Sequence, residues 1–155
     1  MKRIVLMPLM LLSLTANAQG IGDVRFGSTH QEAMKNITAL FGQPVNVSPD
    51  QCFFTNRTFM GMQFDEVHFN FQKGKLIEAR FFKKQKSKHA AKSGMKELND
   101  TLTKVYPTTM DLEDRTTPFY VGGASPAGFG HLFTIFVSPR NGAWSTQLRY
   151  GPFKM

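Results

Sequence analysis

The chain is poor in cysteine, tyrosine and tryptophan: one Cys, three Tyr and one Trp stand against fifteen Phe among 155 residues. A lone cysteine closes no internal disulfide, so the fold rests on packing rather than on the covalent staples common in small exported domains. Cys52 precedes Phe53 and Phe54, an apolar setting that predicts a buried, inert thiol. The four histidines, His30, His68, His89 and His131, are scattered. None has the H-x-x-x-H or C-x-x-C spacing that puts ligands on one metal, so neither metal nor cofactor is expected. No G-x-S-x-G elbow is present, which removes the commonest serine-nucleophile signature. Gly122-Gly123 and Gly128-x-Gly130 are followed by strand rather than helix pattern, unlike a dinucleotide loop, and read as a mobile connection. Low-complexity tracts are missing too, and 15 Phe supply ample material for a core.

Only one long apolar run occurs, Ile4–Leu14, preceded by Lys2 and Arg3 and followed by Ala16-Asn17-Ala18. A cationic start, a short apolar run and a small-x-small site are the parts of an export leader. The run is too short for a bilayer span and contains Pro8. Residues 1–18 are therefore expected to be cleaved as a signal peptide, leaving residues 19–155 as one domain in the periplasm or outside the cell. Gln19, not Cys, follows the site, so lipid anchoring is not expected. Cleavage takes two of the 19 basic residues, leaving 17 against 11 acidic ones and a formal charge of +6. Such a charge fits an acidic envelope protein or an anionic surface; nucleic acid does not fit an exported chain.

Hydrophobic periodicity predicts an α+β fold of two successive α-β-β-β units, about 26–84 and 87–150, forming antiparallel sheet with two helices on one face. The first helix opens at the capping box Thr29-x-x-Glu32, buries Ala33, Ile37, Leu40 and Phe41, and stops at Gly42 and Pro44. Strands follow at Cys52–Phe59, Phe64–Phe71 and Lys75–Phe82. A three-residue loop, Gln72-Lys73-Gly74, is expected between the last two, pairing Phe69 with Ile77 and Val67 with Ala79, and setting His68 opposite Glu78 and Glu66 opposite Arg80. The second helix runs from about Ser87 to Tyr106 with Ala91, Met95, Leu98, Leu102 and Val105 inward. Its early lysines oppose the helix dipole, which moves the expected first turn toward Ala90. A turn-rich stretch to Thr117 precedes a strand at Pro118–Val121. A hairpin across Asn141-Gly142 then pairs Val137 with Thr146, Ile135 with Leu148 and Phe133 with Tyr150, with Pro139 opposite Trp144.

The segment Phe26-Gly27-Ser28-Thr29 through Phe41-Gly42-Gln43-Pro44 resembles the opening of an exported group of helix-plus-meander proteins. That group includes the small outer-membrane assembly lipoproteins of the SmpA/OmlA type and the beta-lactamase inhibitory protein, which also has two successive repeats. The resemblance implies a non-enzymatic protein-binding module and carries over no functional residue. This chain lacks both the lipoprotein cysteine and the cysteine pairs of the inhibitor.

Three places carry candidate chemistry. If the two sheets lie side by side, their helix-free face presents Leu76, Phe82, Leu132 and Phe136 among His68, Glu78, Gln147 and Arg149, the half-apolar composition of a recognition surface. Arg80, Lys83, Lys84, Lys86, Lys88, His89, Lys92 and Lys96 concentrate positive charge at a strand-to-helix corner, where an anionic surface could dock. Glu66, His68 and Glu78 are the best acid–base cluster, which would need to share a cleft to serve a small envelope enzyme. A Phe-lined cavity for a lipid or small molecule is the remaining alternative. The expectation is an exported, non-catalytic binding protein whose contacts come from His68, Glu78, Arg80, Lys83, Lys84, Lys86, Lys88, Phe136 and Arg149.

Overall fold

A computed structural model describes residues 20–155; the expected leader, residues 1–18, lies outside the described residues. A short ribbon, β1 (Gly20–Ile21) with β2 (Val24–Arg25), precedes α1 (His30–Phe41). Four strands follow: β3 (Asn46–Val47), β4 (Gln51–Phe59), β5 (Met62–Gln72) and β6 (Lys75–Gln85). After α2 (Lys88–Leu102) come β7 (Thr108–Glu113), β8 (Thr117–Gly122), β9 (Phe133–Arg140) and β10 (Ala143–Tyr150).

This corrects the expected architecture. The protein is mostly β, 49% strand against 20% helix, and each helix is followed by four strands rather than three. The strands form one antiparallel sheet in the order β3-β4-β5-β6-β10-β9-β8-β7. β6 and β10 join its two halves, from Ala79↔Tyr150 to Gln85↔Trp144. The unforeseen β7 occupies the stretch expected to be turns. It is a largely exposed edge strand, so it carries no buried alternation and is organised by pairing with β8 alone.

The helices form for the expected local reasons. Thr29 Oγ1 accepts from the Glu32 N–H at 3.3 Å, and Ser87 Oγ accepts from the Ala90 N–H at 3.1 Å. The Ser87 cap, with burial of Ala91 and Met95, places the start of α2 at Lys88 despite its lysines. Ala33, Ile37 and Phe41 of α1 share a core cluster with Ala91, Met95, Leu98 and Leu102 of α2. Leu40 and Val105, expected inward, are 49% and 52% exposed. Leu40 flanks the narrow i, i+4, i+8 stripe of α1, and Val105 lies beyond the end of α2. Phenylalanine fills the core ring against ring, with Phe81 near Phe59 (4.7 Å), Phe64 (5.3 Å) and Phe69 (6.3 Å).

Two local irregularities set which side chains reach the helix-free face. On β5, Met62 and Phe64 are buried, and so are Val67, Phe69 and Phe71, so the alternation slips by one at Asp65 and Glu66. The slip faces Asn56 of β4, which has a φ of 51°. On β6, the connection is a two-residue turn, with Gln72 paired to Lys75 and φ values of 52° and 75° at Lys73 and Gly74. The expected three-residue loop is corrected. A register shift beside Phe71 leaves Ile77 unpaired in the ladder. That bulge restores the face match the plain two-residue turn would have lost, giving Phe69↔Ala79, Val67↔Phe81, His68↔Arg80 and Glu66↔Phe82. Leu76 goes into the core, not onto the open face, because the bulge at Ile77 shifts the alternation by one and pairs Leu76 with the core residue Phe71; its backbone also exchanges bonds with Gly27 (2.8 Å) and Ser28 (3.0 Å). Leu132 is also buried in the core; it precedes β9 and donates to Gly122 O at 3.0 Å, so the strand alternation does not reach it.

Candidate functional site

Between the two halves, the helix-free face of β5, β6, β10 and β9 carries a continuous polar and aromatic surface. The alternation of β6 directs Glu78, Arg80 and Phe82 there, opposite the core residues Ala79 and Phe81. Phe82 is only 5% exposed yet stands outside the core cluster, because side chains of the open face cover it. Arg140 Cζ lies 3.6 Å from its ring centroid and Arg80 Cζ 4.9 Å. The His68 ring meets Phe82 edge-on at 5.5 Å.

Two carboxylates organise the surface. Glu66 Oε2 accepts from Arg140 Nη1 at 2.8 Å and lies 3.0 Å from His68 Nε2. Glu78 accepts from Arg149 Nε at 2.8 Å and from Asn70 Nδ2 at 2.8 Å, while Asn70 Oδ1 accepts from Gln51 at 2.9 Å. Each glutamate is thus held by one arginine. Arg80 is left over. It faces Arg149 directly across the β6–β10 seam, and its Nε is buried without an acceptor among the described residues. Burial lowers its pKa first, Glu78 opposes that, and Arg149 and Arg140 lower it further.

Two clefts meet over Phe82 and Arg140. One, of about 180 Å³, is lined by Gln51, His68, Asn70, Arg80, Phe82 and Arg140. The other, of about 280 Å³, has Asp65, Glu66, Lys84 and Trp144 around the same two side chains.

His68, Glu78, Arg80 and Arg149, expected together, are brought together here; Phe136 lies on the same face, paired with Gln147. The cross-strand partners differ from expectation: the bulge at Ile77 sets His68 opposite Arg80 and Glu78 opposite Asn70. The basic tract is divided. Arg80 belongs to the open face, Lys84 borders the larger cleft, and Lys83 donates to Gln63 O at 3.1 Å. Lys86 and Lys88 are exposed at the corner, with Lys88 Nζ 5.1 Å from the Trp144 ring. Arg140, Gln51 and Asn70 were missed. Extending the alternation of β9 two residues past Ser138 would have placed Arg140 beside Phe136.

The arrangement is chemically a set of donors. Glu66 and His68 meet, but Glu78 is held apart by Arg149 and Asn70, so the three do not form one acid–base centre. Cys52 points into the core on the opposite side of the sheet, where burial pushes its thiol up to about 11. Among the described residues no group of three or more His, Cys, Asp or Glu could hold a metal ion, and no helix is long and apolar enough to cross a membrane. No protein-family model matches the chain, and no curated protein or solved structure shows significant similarity to it.

Proposed function

We propose that this chain is an exported, non-catalytic binding module of the bacterial cell envelope that engages an acidic protein partner through the helix-free sheet face. The observation that carries the reading is the composition of that face. Glu66 and Glu78 are each paired to an arginine, Arg140 and Arg149, while Arg80 has no carboxylate partner on that face, and the half-buried Phe136 lies on it too. Arginine and aromatic side chains on one exposed sheet face are the composition of interface anchors. The resemblance of residues 26–44 to the exported helix-plus-meander group, and the leader pattern at residues 1–18, support the same assignment. The basic corner at Lys84, Lys86 and Lys88 serves as an electrostatic guide rather than as the docking site.

The test is site-specific photo-crosslinking in the cell envelope from position 136 and, separately, from position 86. A discrete adduct from position 136, contacting an acid-rich segment and lost in Arg149→Glu, is the expected result. Its loss in a Lys84→Glu/Lys86→Glu/Lys88→Glu chain, with Arg149→Glu behaving as wild type, would move the docking site to the corner and refute the reading.

A further inference from the structure

Arg80 is placed in a way a purely structural network does not explain. Like charges directly opposite on neighbouring strands are destabilising, yet Arg80 and Arg149 are partners across the seam. The glutamates are already engaged, Glu66 by Arg140 and Glu78 by Arg149. A buried donor without an acceptor is costly, yet Arg80 Nε has none among the described residues. The cleft beside Arg80 is otherwise lined by Gln51, His68, Asn70, Phe82 and Arg140, with no carboxylate among them. Breaches of local rules that cluster in one cleft mark sites shaped for something other than stability.

We propose that this cleft is a carboxylate subsite, with Arg80 as its anchoring residue, taking the side chain of an aspartate or glutamate presented by the partner. A guanidinium offers a planar fork of N–H groups that matches a carboxylate in a bidentate manner. Stacking on the Phe82 ring holds the Arg80 and Arg140 guanidinium groups in place. The incoming carboxylate offsets the repulsion between Arg80, Arg149 and Arg140. The subsite rests on the proposed recognition role, because it names the group on the partner that this face selects.

The experiment is an NMR titration of the arginine Nε–H signals of the full chain with sodium acetate, inorganic phosphate or a hexaglutamate peptide, at constant ionic strength set by chloride. Acetate and the peptide should shift the Arg80 signal saturably, and the peptide should bind about tenfold more weakly to Arg80→Gln, the loss of one charged hydrogen-bonding anchor. Arg80→Lys, which keeps the charge without the fork, should recover less than half of that loss. A larger, tighter response to phosphate than to acetate would overturn the carboxylate assignment. A flat Arg80 signal overturns the subsite. Peptide-induced backbone shifts on β6 and β10 with a flat Arg80 signal would leave the recognition face standing without it; no response anywhere would sink both.

Discussion

Arg140 and Glu66 lie 74 residues apart in sequence and 2.8 Å apart in space, Nη1 to Oε2. The bond crosses from the β9–β10 hairpin to β5, over the Phe82 ring, so one side chain ties the two halves of the sheet on their helix-free side. Both partners are about 30% exposed, at 28% and 31%, so solvent screening limits the ionic part. The stacking on Phe82 adds to it. Arg140→Ala should therefore cost about 1–2 kcal/mol in urea unfolding, and a double-mutant cycle with Glu66→Gln should return a coupling of about 0.5–1 kcal/mol. High salt should reduce the coupling while leaving most of the Arg140→Ala effect.

Gly94 of α2 lies directly against Gln85 of β6 and Thr146 of β10. A Cβ there would lie 2.7 Å from both Gln85 Nε2 and Thr146 Oγ1. Those two atoms bond each other at 3.0 Å, and Thr146 Oγ1 also donates to Ala91 O at 2.9 Å. Alanine raises helix propensity by up to about 1 kcal/mol over glycine, but here it must displace a buried hydroxyl with two hydrogen bonds. Gly94→Ala should be net destabilising by about 1–2 kcal/mol, read as a lowered urea midpoint. An unchanged or raised midpoint would show that α2 can lift from the sheet at no cost.

What was legible in the sequence follows from where chemistry alone sets geometry. The Asn141-Gly142 turn has φ values of 51° and 77°, and every pair expected across it is found, because no bulge interrupts the ladder beyond the turn. Lys73-Gly74 makes the same kind of turn, yet its register was misread: the compensating bulge at Ile77 leaves no mark on the residue pattern. β7 was invisible because an exposed edge strand has no buried face to alternate against. The site was legible to the extent that strand alternation held. His68, Arg80 and Arg149 follow the alternation, Leu76 departs from it at the Ile77 bulge and Leu132 lies before β9 begins, and Arg140 is hidden by its position at the turn.

Cys52 is buried in the core, and desolvation raises its thiol from 9.0 to about 11. The neutral thiol is therefore favoured by folding. Its contribution to stability is complete below pH 9 and is lost between pH 9 and 11, where the unfolded chain has released a proton that the folded chain still holds. The loss amounts to about 3 kcal/mol over that window. Urea unfolding of Cys52→Ala should show a shallower decline between pH 9 and 11 than the wild type. In native buffer at pH 8, a thiol reagent should react only at the rate of opening, and at once after denaturation.

Trp144 is the only tryptophan of the chain and borders the larger cleft beside Glu66, Lys84 and Arg140, with Lys88 Nζ 5.1 Å from its ring. Its emission therefore reports on both the sheet face and the basic corner, and Lys88 separates the two. Lys88→Gln removes a half-solvated cation–π contact, which should shift the emission of the free protein while costing less than about 1 kcal/mol of stability. An acid-rich peptide that docks on the sheet face should change Trp144 emission in wild type and Lys88→Gln with affinities within about threefold of each other, since an exposed guiding charge acts mainly on the association rate. Arg149→Glu should abolish the response. If Lys88→Gln abolished it and Arg149→Glu did not, the corner lysines would be the contact and the arginines of the sheet a structural network.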